Sequence, residues 1–335
     1  MKRWLAKAWY SDSIAVKLLL PFSWLFAVLT AGRHQRLVRK TSAGDVPVVV
    51  VGNIAVGGTG KTPVCLALAN YFSQQGKRVV FVSRGYGGKS MHYPIVVTGD
   101  SDPAQVGDEA VMLAEQTSCA VVVDPRRDRA AGVAATRLGA DLIISDDGLQ
   151  HYALARTIEI AVVDGKRGLG NGCLLPAGPL REPPTRLQTV DYVVCNGSLQ
   201  RPLPVTVNPT VFHLQPEDLV NLLTGERLQP SEWQRRHVSS RIHAVAGIGN
   251  PSRFFTSLRQ LGFVIIPHAF DDHHAYAPAD LAFAGDDPVV MTTKDAVKCR
   301  RFARAHWWAL QVTAALPKEL LTDIAHRIDD AIKHS

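Results

Sequence analysis

Short runs of β-branched residues recur along the chain without polar alternation inside them. The first six are VPVVVV at 46–51, RVVFVS at 78–83, AVVVD at 120–124, DLIIS at 141–145, IEIAVVD at 158–164 and DYVVC at 191–195. A run that is apolar on both faces suits a parallel strand covered on both sides. Longer stretches with helical character separate the runs, and this alternation predicts a doubly wound α/β sheet. The stretch NGSLQRPLPVTVNPT at 196–210 breaks the rhythm. HAVAGI at 243–248, FVIIP at 263–267, PVVMTT at 288–293 and WWALQV at 307–312 then restart it. The expected organisation is an N-terminal segment at 1–40, a first α/β domain at 41–195, a linker or β-hairpin region at 196–215, and a second, smaller α/β domain at 216–335, with a cleft between the domains.

The N-terminal segment follows a different pattern. Between Lys17 and Arg33 runs LLLPFSWLFAVLTAG, fifteen residues without a charge. That is short of the roughly 20 residues a helix needs to span a bilayer, and Pro21 would kink or restart the helix. Basic residues crowd just after the apolar run, and no small-x-small cleavage site stands out, so a signal peptide is not indicated. Trp4, Trp9 and Trp24 suit the headgroup level, and the flanking cations suit anionic lipid. The segment reads as a membrane-associated interfacial helix; a helix packed on its own domain and a single span are the alternatives.

Composition changes this picture little. Hydrophobic residues at 46% and charged residues at 20% fit a globular chain. The five cysteines are odd in number and form no C-x-x-C pair, so a reduced compartment without a structural metal site is the simplest reading. Charge is more informative. Lys2, Arg3, Lys7, Lys17, Arg33, Arg36, Arg39 and Lys40 against Asp12 account for the whole net charge of +7. A basic end on a neutral body argues against a nucleic-acid surface and for a local anionic partner.

The candidate chemistry begins at GNIAVGGTGKTP, 52–63. It approaches the phosphate-loop pattern G-x-x-x-x-G-K-[ST], with Ala55 where the first glycine would stand. A strand-like run precedes it and a helix-like run, VCLALANYF at 64–72, follows. Ala still offers its N–H, so the backbone of Ala55, Val56, Gly57, Gly58, Thr59 and Gly60 remains suited to curl around phosphate oxygens. Lys61 would reach the β- and γ-phosphates, Thr62 would hold Mg²⁺, and Pro63 fits a first helical turn. Asp146 and Asp147 end a buried run, where such enzymes place the carboxylate of the Mg²⁺ shell. Which of the two faces the metal is open from sequence. So is the plainer reading of two acids in a strand-end turn.

The run DDGLQHYALARTIEIAVVDGKRGLGNGCLLPAGPLREP at 146–183 closely resembles the tetraacyldisaccharide 4′-kinases of lipid A biosynthesis. So do VGNIAVGGTGKTP at 51–63, VSRGYGG at 82–88, GDEAVMLA at 107–114, AGIGNPSRFF at 246–255, FDDHH at 270–274 and MTTKDAVK at 291–298, in family order along nearly the whole chain. A residue other than glycine at position 55 is also that family's habit. The resemblance implies a P-loop NTPase-like sheet with a second α/β domain. It also implies ATP and Mg²⁺ as cofactors, an acylated disaccharide lipid as acceptor, and a peripheral place on the cytoplasmic face of the bacterial inner membrane. In the family an aspartate and a histidine act as a dyad; the matching positions are Asp108 and His273, on different domains, so domain closure would assemble them. A helix N-cap is the plain reading of Asp108, and His274 is the rival of His273. On the glycine-flexed loop SRGYGG at 83–88, Arg84 would clamp the 1-phosphate or a sugar oxygen and Tyr86 would pack on a sugar face, with a plain strand-to-helix turn as the alternative. Gln150, His151 and Glu182 match family positions near the glycan. Glu109 would tune the site. One of Arg126, Arg127 and Arg129 would touch phosphate, and three cations on a solvated turn is an equal reading. Lys294 and Asp295 are given no role beyond a strand-end loop. A monomer without nucleic-acid partners is expected. The competing function is a membrane-tethered switch ATPase of the deviant phosphate-loop type, weakened because that class carries a lysine where this chain has Val56. A lipid-binding protein that uses nucleotide only for structure comes third; it would leave Asp108 and His273 without a purpose.

Overall fold

The computed structural model describes residues 8–11, 14–38, 46–237 and 241–333. Among the described residues, thirteen strands join in one mixed sheet. Its first half holds β1 (Val48–Gly52), β2 (Val79–Ser83), β4 (Ala120–Val123), β5 (Leu142–Asp146), β6 (Ile158–Asp164) and β7 (Tyr192–Asn196), all parallel, with the short β3 (Ile95–Val97) antiparallel at the edge. Its second half holds β10 (Ile242–Ala246), β11 (Ile265–Ala269), β12 (Val289–Thr292) and β13 (Trp307–Ala315), again parallel. The uninterrupted apolar runs form these strands because both faces are covered. Val49 and Val51 pack with Val64, Leu68 and Phe72 on one side, and Val48 and Val50 with Ala130, Ala134 and Leu149 on the other.

The strand β8 (Thr210–Asn221) fuses the halves. Its first three residues pair parallel to β7, the rest antiparallel to β13, and its end also pairs with β9 (Arg227–Leu228). The sequence reading places 196–215 in a linker, and β8 begins inside it. Its text, TVFHLQPEDLVN, alternates burial and carries Pro216, Glu217 and Asp218, so it lacks the continuous apolarity of the other strands. The ladder slips beside Pro216, between Leu310 and Val312, where proline withholds an amide from the sheet.

Seven helices matter for the site: α1 (Leu20–Val38), α2 (Lys61–Gln74), α3 (Asp108–Gln116), α4 (Arg127–Thr136), α5 (Pro251–Gln260), α6 (Thr293–Cys299) and α7 (Lys318–Lys333). The last returns to the first half. Leu320, Ile324 and Ile328, a stripe at four-residue spacing, are buried in the core that holds α2.

Loops at the carboxyl ends of β1, β2, β4 and β5 in one half, and of β10, β11 and β12 in the other, line a single cleft of about 1350 Å³. Carboxyl ends are where open α/β sheets place their ligands.

Candidate active site

The glycine-rich loop leaves β1 and enters α2. Gly57 and Gly60 adopt φ of 105° and 101°, conformations that favour glycine. A Cβ at Gly60 would stand 2.7 Å from Asn196 Nδ2. The loop's carbonyls are tied back by side chains: Asn53 Nδ2 donates to Gly57 O at 3.2 Å, Asn196 Nδ2 to Thr59 O at 3.0 Å, and Arg167 to Gly58 O. Residues from Val56 to Thr62 line the cleft. Ala55 and Val56 are engaged elsewhere: Ala55 is buried and bridges to Leu180, and Val56 N donates to Pro179 O at 2.8 Å. At these two positions the backbone is held by the 173–181 segment, which the sequence did not foreshadow.

Register brings the aspartates to this loop. Val51 of β1 pairs with Asp146 of β5, so Asp146 stands beside the strand end that launches the loop. Thr62 Oγ1 donates to Asp146 Oδ2 at 3.1 Å, while the buried Asp146 Oδ1 has no hydrogen-bond partner. Burial first, then the charge of Glu109, pushes the Asp146 carboxyl up to about 6. Asp147 is different. Its carboxylate faces Lys61 Nζ at 3.4 Å and Arg181 Nη1 at 3.1 Å. Burial raises its pKa, but Lys61 and then Arg181 outweigh that and hold the carboxyl well below the usual range. Arg127 lies not on a solvated turn but buried, donating to Asp146 O at 3.2 Å. Among the described residues, no three His, Cys, Asp or Glu side chains gather to hold a metal by themselves.

On the opposite wall, Asp108 opens α3 as its first helical residue; the N-cap is Gly107. Asp108 Oδ2 lies 3.3 Å from His273 Nδ1, so residues 165 positions apart in the chain meet across the two halves. Burial pushes the Asp108 carboxyl up, but the His273 hydrogen bond and the charges of Lys294, His273 and Lys298 outweigh it, and its pKa falls below the ordinary value. His273 has a φ of 61°, and its ring lies 4.9 Å from that of Tyr86. His274 turns to Asp280 at 3.1 Å instead. Lys294, given no role from sequence, sits at the centre of this wall, 3.0 Å from Glu109 and 3.2 Å from His273 Nε2.

Gly107 locks the wall to the 84–88 loop. Its φ is 88° and ψ 144°, and an added Cβ would lie 2.6 Å from Tyr86 O. Only glycine adopts this region cheaply, at a cost to other residues of about 1–3 kcal/mol. Gly107→Ala is expected to lower stability by about that amount and to displace Asp108. Denaturant midpoints check the first effect and kcat the second; an unchanged midpoint would contradict it.

Among the remaining residues from the sequence reading, Arg84, Tyr86, Gln150, His151 and Glu182 line the same cleft. Gln150 Nε2 donates to Asn53 O at 3.0 Å and to Glu182, and Tyr152 OH also donates to Glu182. His151 Nε2 accepts from Arg127 N at 3.3 Å.

The N-terminal helix borders this region. Ser23 Oγ donates to Leu174 O at 2.8 Å and accepts from Ala177 N at 3.0 Å, and Phe26, Ala27 and Thr30 line the cleft. Trp9 does not suit a headgroup role, because its indole N–H donates to Pro176 O at 3.0 Å within the protein. Lys2, Arg3, Trp4, Lys7, Asp12, Arg39 and Lys40 lie outside the described residues. Leu18, Phe22, Trp24, Leu25, Val28 and Leu29 are exposed, Trp24 at 72%. Among the described residues, no helix is long and apolar enough to cross a membrane.

Residues 15–329 match the family model for tetraacyldisaccharide-1-P 4′-kinase. A tetraacyldisaccharide 4′-kinase of Alcanivorax borkumensis is 48% identical over 327 residues, spanning 98% of both chains. One from Methylobacillus flagellatus is 48% identical over 331 residues, 97% of this chain and 96% of that one. Among solved structures, LpxK from Aquifex aeolicus in complex with ATP superposes with a TM-score of 0.77 at 28% identity, covering 94% of this chain and 99% of that one.

Proposed function

The chain belongs to the tetraacyldisaccharide 4′-kinase family, and from that membership we propose that it transfers the γ-phosphate of ATP to the 4′-hydroxyl of a tetraacylated glucosamine disaccharide 1-phosphate, forming lipid IVA. The observation that carries this reading is the Asp108–His273 pair facing the Lys61–Thr62 loop across one cleft. The switch-ATPase alternative has no comparable support.

The loop at 56–62 acts as the phosphate loop, with Lys61 placed to neutralise charge on the transferring phosphoryl group. Lys61 and Arg181 now spend their charge on Asp147; phosphate oxygens would compete for the same cations. The acceptor is a weakly acidic alcohol, and its proton is drawn toward the Asp108–His273 pair, in which His273 is the member on the cleft wall. Arg84 meets the 1-phosphate or a sugar oxygen, Tyr86 packs on a sugar face, and Gln150, His151 and Glu182 orient the glycan. The two halves of the sheet serve as nucleotide and closing units, and a monomer suffices.

The residues fit Mg²⁺. Asp146 Oδ1 is buried without a partner beside the Thr62 hydroxyl, whereas Asp147 is already paired. Thr62 and Asp146 would hold the ion, with phosphate oxygens and water completing its shell. When bound it would neutralise charge on the phosphates.

The exposed apolar side chains of α1 and of the 3₁₀ turn before it, Ile14–Leu19, rest on the anionic cytoplasmic leaflet of the inner membrane, with one side of α1 packed on the 173–178 segment. Truncation of 1–32 would therefore also remove part of the cleft wall, and point substitution is the cleaner test. Leu18→Glu with Trp24→Glu is expected to lower recovery on anionic vesicles about tenfold or more, since each large side chain withdrawn contributes about 1.5–3 kcal/mol. Turnover of detergent-dispersed substrate should change little. Undiminished vesicle recovery would rule out this face as the anchor.

The activity itself is tested with γ-labelled ATP, Mg²⁺ and the 1-phosphorylated tetraacyl disaccharide in detergent. Label is expected on the lipid. Hydrolysis indifferent to the lipid would favour the switch ATPase instead.

A further inference from the structure

Lys294 reaches three groups from α6. Its Nζ lies 3.0 Å from Glu109 Oε1, 3.4 Å from Asp272 Oδ1 and 3.2 Å from His273 Nε2. An ammonium group has donors and no acceptor. At Nε2 it therefore meets a lone pair, which puts the ring proton on Nδ1, facing Asp108 Oδ2 at 3.3 Å. Burial works against the lysine's charge, but Glu109, then Asp272 and Asp108, more than offset it, so its pKa lies above the ordinary value. One helical turn on, Lys298 stands 3.9 Å from Asp108 and 3.2 Å from the fully buried Asp295. Residues four apart share a helix face, and α6 thus presents two cations to the adjacent carboxylates Asp108 and Glu109 of α3.

Resting on the dyad reading above, we propose that Lys294 is a positioning residue: it keeps His273 a neutral, Nδ1-protonated imidazole and ties the 270–273 loop of one half to α3 of the other. A neutral imidazole beside an ionised Asp108 can take up one more proton. An imidazolium in its place cannot, and the pair would then offer only a carboxylate of depressed basicity. Without Lys294 the ring would keep Asp108 from α3, Asp272 from its own loop at 3.9 Å and the Tyr86 ring from the 84–88 loop, with Glu109 next to Asp108 in the chain and Lys298 of α6 set 3.9 Å from Asp108 itself. Carboxylates would then dominate, which favours the protonated ring. The proton's destination is the Nε2 lone pair, so Lys294 Nζ must give up that contact to the alcohol when the acceptor binds; until then it keeps the nitrogen bare.

The test reads the ring directly. Full-length protein with ¹⁵N-labelled histidine is examined in detergent at neutral pH, and His273 is assigned by the signals lost in His273→Gln. The wild-type ring is expected to show a protonated Nδ1 and a bare Nε2. In Lys294→Met both nitrogens should carry protons, the acid limb of the kcat–pH profile should move to higher pH, and the KM for ATP should hold. Lys294→Arg, which keeps a cation there, should restore the bare nitrogen in part. A wild-type His273 already protonated at Nε2 overturns the proposal without any variant, as does a Lys294→Met spectrum identical to wild type. These spectra need no turnover. Full kcat in His273→Gln would instead remove the dyad reading and leave the tautomer result standing.

Discussion

Replacing Asp108 by alanine is expected to lower kcat on the order of 10²–10⁴-fold, the range for losing general acid–base assistance. The carboxylate accepts from His273 Nδ1 at 3.3 Å and sits beside Lys298 at 3.9 Å, in a buried setting. Its removal frees the ring to turn and leaves the α6 lysines short of a counter-charge. Asp108→Asn is the sharper variant, because it keeps the volume and removes the charge. His273→Ala should give a loss of similar size. The double variant should lose little more than either single one, since residues acting as a unit are not additive. The KM for ATP should move little if the pair serves the acceptor, as proposed. Near-normal kcat in Asp108→Ala, with the protein folded, would sink the dyad assignment.

Lys61→Ala is the second large effect, with kcat expected to fall on the order of 10²–10³-fold, as for removal of one preorganised charge-stabilising donor. The lysine side chain is only 14% exposed and its Nζ lies 3.4 Å from Asp147. In the variant Asp147 keeps Arg181 at 3.1 Å as its partner, so the fold should survive. The phosphoryl group, however, would meet an acidic floor with less positive charge to balance it. Lys61→Arg is not expected to rescue, because a planar guanidinium does not replace a compact ammonium at the mouth of a tight loop. Thermal melting separates the outcomes: unchanged stability with lost turnover supports the assignment. Lost stability with turnover retained per folded molecule would show that Lys61 serves the fold alone.

What was legible in the sequence follows from how local each feature is. The glycine loop, the Asp146–Asp147 pair and the buried strands are contiguous text, and their chemistry shows in spacing. The Asp108–His273 pairing came from family resemblance, since no periodicity links residues so far apart. Lys294 escaped because its meaning is purely spatial: Glu109, Asp272 and His273 converge on it only once the halves are joined. The lysines four apart in MTTKDAVK were the available signal. Arg167, Asn196 and Arg181 escaped for the same reason, each holding the loop or Asp147 from a distance, whereas Asn53 stands in the loop's own text, four residues before the Gly57 carbonyl it ties. Arg127 read as surface because its neighbours Arg126 and Arg129 are more exposed cations, while its own guanidinium turns inward to Asp146 O. The strand β8 was hidden by Pro216 and by its alternating burial. Trp9 looked like a headgroup residue because composition does not reveal that its N–H is bonded to Pro176 O.

One measurement bears on all of this at once: a crystal structure with a non-hydrolysable ATP analogue. The analogue's terminal phosphate is expected at Lys61 Nζ, with its chain curled in the 56–62 loop and His273 facing it from the opposite wall. A loop left empty, or an analogue seated away from Lys61 and out of reach of His273, would contradict it.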